Sequence, residues 1–141
     1  MLSQKARYAI RAILYMAAEG SEAEHFSVDR LAETLELPRA FLAKALQELA
    51  RKGFVSSIKG PNGGFYLTPA QRQRTLKELI VALDGESLFQ GCMLGLKECD
   101  AARPCPIHAS VAVLRQSLEY QFGLHTIEVL AQTLKHSTMR I

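Results

Sequence analysis

Two short apolar helical stripes separated by a tight connection restrict this chain more than any other feature. Ser27 offers an N-cap, and Val28, Leu31, Ala32 and Leu35 share one helical face. After only Glu36 and Leu37, Pro38 takes an early helical position, and Leu42, Ala45, Leu46 and Leu49 mark a second buried side until Gly53 ends the run. The first of these helices is too short to stand alone, so the pair must fold as a unit joined by a tight turn.

What flanks the pair narrows the fold further. Upstream, Ser3 caps a helix carrying Ala6, Ala9, Ile10, Ile13 and Ala17 at helical spacing, with Gly20 as its stop. Downstream, Phe54 to Ile58 is β-rich, KGPNGG (59–64) is turn chemistry, and Phe65 to Leu67 is β-rich again, which predicts a hairpin. Helix, helix, tight turn, helix, hairpin is the order of a winged helix-turn-helix, whose helix after the turn enters the DNA major groove.

Charge agrees with that order. The chain carries a net +3, but residues 38–77 hold eight basic side chains against one acid, Glu48. This is the electrostatic footprint of a phosphate-backbone binder. Opposite the apolar stripe of the predicted recognition helix lie Ala40, Ala43, Lys44, Gln47 and Arg51, with Arg39 at the flank. Small Ala40 and Ala43 permit close approach to a thymine methyl, Arg39 suits a guanine edge, and Lys44 and Arg51 suit phosphates. The glycine-rich tip with Lys59 at its shoulder predicts a wing against the backbone, in the minor groove. The expected DNA-contacting set is Ser27, Arg39, Ala40, Phe41, Ala43, Lys44, Lys59, Asn62 and Gly63.

Beyond the hairpin, Thr75 and Glu78 form a capping box, and Leu76, Leu79, Ile80 and Leu83 give a further helix ending near Gly85. Periodicity then lapses over 86–105 and returns from Pro106 to Phe122. There Ile107, Val111, Leu114, Leu118 and Phe122 are spaced almost as a coiled-coil seam, which predicts a dimerisation helix. A last helix, Thr126 to Leu134, is expected to fold back onto the first. The expected organisation is a winged helix-turn-helix over 1–84, a cysteine-containing loop over 85–105, and dimerisation and C-terminal helices over 106–141. The fold class is mainly α with a small β-hairpin.

All three cysteines fall in the aperiodic stretch: Cys92, Cys99 and Cys105, with gaps of six and five residues, then two residues to His108. Structural zinc usually uses at least one C-x2-4-C knuckle, which is missing. Longer gaps suit ligands wrapped around a larger object such as an iron-sulfur cluster, and Gly91, Gly95, Pro104 and Pro106 supply the bends. His108, opening the next helix, is placed to be the fourth ligand. Zinc, or thiols acting as a redox switch without metal, remain alternatives, as does a metal-binding interaction module whose basic hairpin is incidental. Cys105 and His108 lack an orienting group or oxyanion site, so no enzyme is expected.

With 48% hydrophobic and 22% charged residues, the composition excludes disordered and fibrous classes. No apolar run is long enough for a membrane span, and Lys5, Arg7 and Arg11 interrupt the N-terminus where a signal peptide needs its apolar stretch. An odd cysteine count favours a reducing compartment, and the expected location is the cytoplasm.

KARYAIRAILYMA at the start, LPRAFLAKALQELARKGFVSSIKGPNGGFYL in the middle and the Cys92, Cys99, Cys105, His108 loop resemble the Rrf2 family of bacterial regulators. The resemblance spans nearly the whole chain. It implies a homodimeric winged-helix transcription factor, such as a repressor, whose cluster state alters binding to a palindromic operator. It places the cluster ligands at the three cysteines and, through CPIH, at His108. Two departures matter. Some members use a carboxylate from the first helix of the partner subunit, where this chain has Arg7, which strengthens His108. Some carry a glutamate in the recognition helix that helps change operator preference with cluster loading, where this chain has Ala43. A Cys3His set leans toward [2Fe-2S] over [4Fe-4S], and such clusters are easily lost from a protein prepared in air.

Overall fold

The computed structural model describes all of residues 1–141. Helix α1 (Gln4–Glu19) begins at Ser3, whose hydroxyl accepts from the Ala6 N–H. Helix α2 (Val28–Leu35) begins at Ser27 in the same way, through the Arg30 N–H. Glu36, in the left-handed region at φ 53°, turns the chain into α3 (Arg39–Arg51), with Pro38 as its N-cap residue. Strands β1 (Ser56–Ile58) and β2 (Gly64–Tyr66) pair antiparallel, Ser57 opposite Phe65, to make the predicted hairpin. Phe54 and Val55, assigned by pattern to the first strand, lie before it and are buried.

Helix α4 (Pro69–Arg72) follows, then α5 (Leu76–Asp84), α6 (Ser87–Gln90), α7 (His108–Leu124) and α8 (Ile127–Lys135). The Thr75–Glu78 capping box is present, and Thr68 with Gln71 makes a second one that opens α4. Helices α4 and α6, four residues each, escaped the periodicity argument because neither completes a second turn.

One core joins α1, α2, α3, the hairpin and α5, and it also takes Ile127 and Ala131 of α8. Helix α8 folds back onto α1, as expected, and is pinned by Leu76 N–H to His125 O and Ile127 N–H to Arg74 O. The wing is tied to the helical body through Phe26, which exchanges two backbone hydrogen bonds of 2.8 Å with Phe65.

Arg72 closes this assembly. Its guanidinium donates to the Ala17 carbonyl at 2.9 Å, the Gly20 carbonyl at 3.2 Å and the Glu128 carboxylate at 2.8 Å, bracing the end of α1 against α8. Arg72→Ala leaves these acceptors without their donor and is expected to cost about 3 kcal/mol in a denaturation experiment. The Arg72 hydrogen bond holds the Glu128 carboxyl below its usual range. A depressed folded-state value stabilises above the unfolded pKa, about 4.3, and that contribution is lost as pH falls through the folded value. Stability of the native protein should therefore fall more steeply below about pH 4 than that of Arg72→Ala, measured by melting across that range.

Candidate nucleic-acid interface and cysteine loop

Leu42, Ala45, Leu46 and Leu49 are buried on one side of α3, so the opposite side faces outward by necessity. Ala40, Phe41, Lys44, Gln47 and Arg51 are exposed there, and Ala43 is half-buried. Between α3 and the hairpin runs a groove lined by Lys44, Gln47, Arg51, Ser57 and Lys59. Lys44, Arg51 and Lys59 take part in no ion pair within the chain, which leaves their charge available to an anion.

Other members of the expected DNA set carry internal duties. The Arg39 guanidinium is hydrogen-bonded to the Asp29 carboxylate on α2, which raises its pKa. Both side chains are well exposed, so this pair is weak enough for a phosphate or base to compete. Ser27 spends its hydroxyl on the α2 cap. Phe41 stacks edge-on against Tyr8 of α1 with centroids 6.3 Å apart. The Asn62 carbonyl lies 3.4 Å from His25 Nδ1. Gly63 and Gly64 are required by the wing itself: a Cβ would lie 2.0 Å from the Ile58 carbonyl oxygen at the first and 2.5 Å from the Phe26 carbonyl oxygen at the second.

The cysteine loop leaves α6 and enters α7. Of its four expected ligands, two are in contact. Cys99 Sγ lies 3.3 Å from His108 Nδ1. The Cys92 thiol is held below the ordinary range by the backbone N–H groups of Leu96 and Leu94, with smaller help from Cys105 and Gly95. No three cysteine, histidine or acidic side chains converge on one point. The donor chemistry nevertheless fits an iron-sulfur cluster: all three cysteines are unpaired and partly accessible, and His108 offers an imidazole at the first turn of α7.

Sequence reasoning missed Arg115. Its side chain points from α7 back into the loop and donates to the Gly91 carbonyl and, at 3.1 Å, to Cys99 Sγ. It is the one buried charged residue of the chain.

Helix α7 is held to the body by Lys77 to Glu119 at 2.6 Å and by Phe122 packed edge-on against Phe89 at 6.2 Å. Of the expected dimer seam, Val111 and Phe122 are half-buried, while Ile107, Leu114 and Leu118 are exposed. Val113, Tyr120 and Leu124 extend the exposed apolar surface. Sidedness distinguishes these residues, and a single spaced stripe does not reveal it. No helix is long and apolar enough to cross a membrane.

Residues 2–133 match the Rrf2 family, described as "Iron-dependent Transcriptional regulator". A putative HTH-type transcriptional regulator of Aquifex aeolicus is 31% identical over 132 residues, covering 92% of this chain and 90% of that protein. The HTH-type transcriptional regulator IscR of Escherichia coli O1:K1 is 32% identical over 108 residues, covering 77% of this chain and 65% of the relative. Among solved structures, CymR, the global cysteine regulator of B. subtilis, superposes with a TM-score of 0.75 at 22% identity, covering 94% of this chain and 97% of CymR. IscR of T. potens superposes with a TM-score of 0.74 at 21% identity, covering 100% of this chain and 93% of that one. The fold of both matches the winged-helix architecture described above.

Proposed function

Because this chain belongs to the Rrf2 family of transcriptional regulators, which bind DNA, we propose that it reads a palindromic operator as a homodimer and that an iron-sulfur cluster in the cysteine loop modulates that binding. The observation that carries this reading is the loop itself: Cys99 against His108, with Cys92 and Cys105 on the same segment joining the winged domain to α7. The family's description as iron-dependent supports it. Cys92, Cys99, Cys105 and His108 would hold the cluster, with [2Fe-2S] favoured over [4Fe-4S] by the Cys3His set. When bound, the cluster supplies a redox- and iron-responsive centre.

The chain's own residues then divide the work. Lys44 and Arg51 on α3 and Lys59 on the wing meet phosphates and fix the register on the duplex. Ala40, Phe41 and Ala43, with Arg39 once released from Asp29, face the base edges. The exposed side of α7, through Leu114, Leu118 and the end of Ile107, packs against a second copy and sets the separation of two α3 helices. A two-fold dimer needs its reading helices about 34 Å apart, one DNA turn, so a loop that repositions α7 by a few ångströms changes affinity. His108 sits at the junction where such a change enters α7.

Protein purified without oxygen tests the proposal. It is expected to be coloured, with matching iron and sulfide, and to select an inverted repeat from random duplexes. His108→Ala should still bind DNA but lose its cluster at least about tenfold faster, because a ligand has been removed from the metal. Colourless protein that resists reconstitution yet selects the same site would replace the cluster with thiols or zinc as the sensing element.

A further inference from the structure

Arg115 is 9% exposed, joins no ion pair, and has a buried Nε without a hydrogen-bond partner. A buried guanidinium without a carboxylate is costly, and a fold retains one where an opposing charge arrives from elsewhere. The two groups it does reach both belong to the cysteine loop: the Gly91 carbonyl, at the loop's start, and Cys99 Sγ, near its middle. The side chain therefore spans from α7 to two points of a segment that has no strand and, between α6 and α7, no helix of its own.

We propose that Arg115 is the tether and counter-charge of the cysteine loop. It fixes Gly91 and Cys99 onto α7, so that the ligands are held before a cluster is present. It also sets a permanent positive charge against a ligand sulfur. Cysteine ligates as thiolate, so loading the site gathers negative charge beside the guanidinium. That charge favours the more negative, reduced state of the bound group, and a hydrogen bond to the sulfur acts in the same direction. Arg115 is a positioning residue, acting on the ligands and not as one of them. The tether does not depend on the cluster; the counter-charge rests on the function proposed above.

Two readouts test the two parts separately, on the full chain carrying Arg115→Gln or Arg115→Lys. In anaerobic protein stripped of metal, Lys97 is an exposed cleavage point within the loop. Trypsin should cut after Lys97 at least about tenfold faster in Arg115→Gln, because a lost charged hydrogen bond of about 1.5 kcal/mol raises the open population by that factor. Cleavage at the native rate, in a variant whose melt remains cooperative, overturns the tether. In cluster-loaded protein, Arg115→Gln should move the reduced-to-oxidised ratio about tenfold toward oxidised at a fixed potential, about 59 mV for one electron. An unchanged ratio overturns the counter-charge. Arg115→Lys keeps the charge with a single donor point and should fall between the two in both readouts; it decides both should the Gln variant not fold. Native protein that takes up no cluster defeats the reading of function, while the trypsin arm still decides the tether.

Discussion

Replacing Leu114 and Leu118 together by aspartate is expected to turn a dimer into a monomer and to weaken binding to the selected duplex by at least about 100-fold. Leu114 is 63% and Leu118 40% exposed in the single chain, so charge at either position meets water and the monomer fold should survive. In a dimer packed through α7 the same carboxylates would face apolar Val113, Tyr120 and Leu124 of the surrounding surface, and four buried charges would oppose association. The affinity loss follows from geometry. Two linked reading heads make the second half-site encounter intramolecular, an advantage on the order of 10²–10⁴ that a monomer forfeits. Sedimentation equilibrium gives the assembly state, and titration of the duplex gives the affinity. A variant that remains dimeric and binds normally would move the interface away from α7. A cooperative melt near that of the native protein would show that dissociation, not unfolding, caused the loss.

Capping chemistry is local, and this is why the helical frame was legible. Ser3, Ser27 and the Thr75–Glu78 box each announce a helix within three residues of its start, and the structure places a helix at each. The winged arrangement followed from element order. The charge excess of 38–77 followed from counting, and the structure sets Lys44, Arg51 and Lys59 on one groove. What sequence could not supply was partnership across the chain. Arg39 meets Asp29 from a different helix, and Arg115 meets Gly91 and Cys99, 24 and 16 residues away. In each case a basic residue on a helix has the same local pattern whether it faces solvent or a partner. The seam of α7 was blurred for a related reason: Val111 and Phe122 turn toward the body while Leu114 and Leu118 turn outward, so both sides are apolar and no single stripe separates them. The cysteine spacing favoured a wrapped group while leaving zinc and thiols open, and the contact of Cys99 with His108 came only with the fold.

Gly64→Ala is expected to cost about 4 kcal/mol and to remove the wing from DNA binding, although it adds a single methyl group. Gly64 opens β2 at φ 152°, a conformation that side chains disfavour, at a cost of about 1–3 kcal/mol. A Cβ there would lie 2.5 Å from the Phe26 carbonyl oxygen, and backbone cannot move aside as a flexible side chain can. Relief requires β2 to part from Phe26, breaking the two 2.8 Å hydrogen bonds between Phe26 and Phe65, at about 1 kcal/mol each. The same bridge orients Lys59 against α3, so affinity should fall along with the melting temperature. Gly60 is the matching control. It has φ 111°, but a Cβ there meets nothing within 4 Å. Gly60→Ala should therefore show only the conformational part, about 1–2 kcal/mol, and keep most of its DNA affinity. Equal losses from the two substitutions would mean that backbone conformation at the tip, not the docking of the wing on Phe26, governs the hairpin.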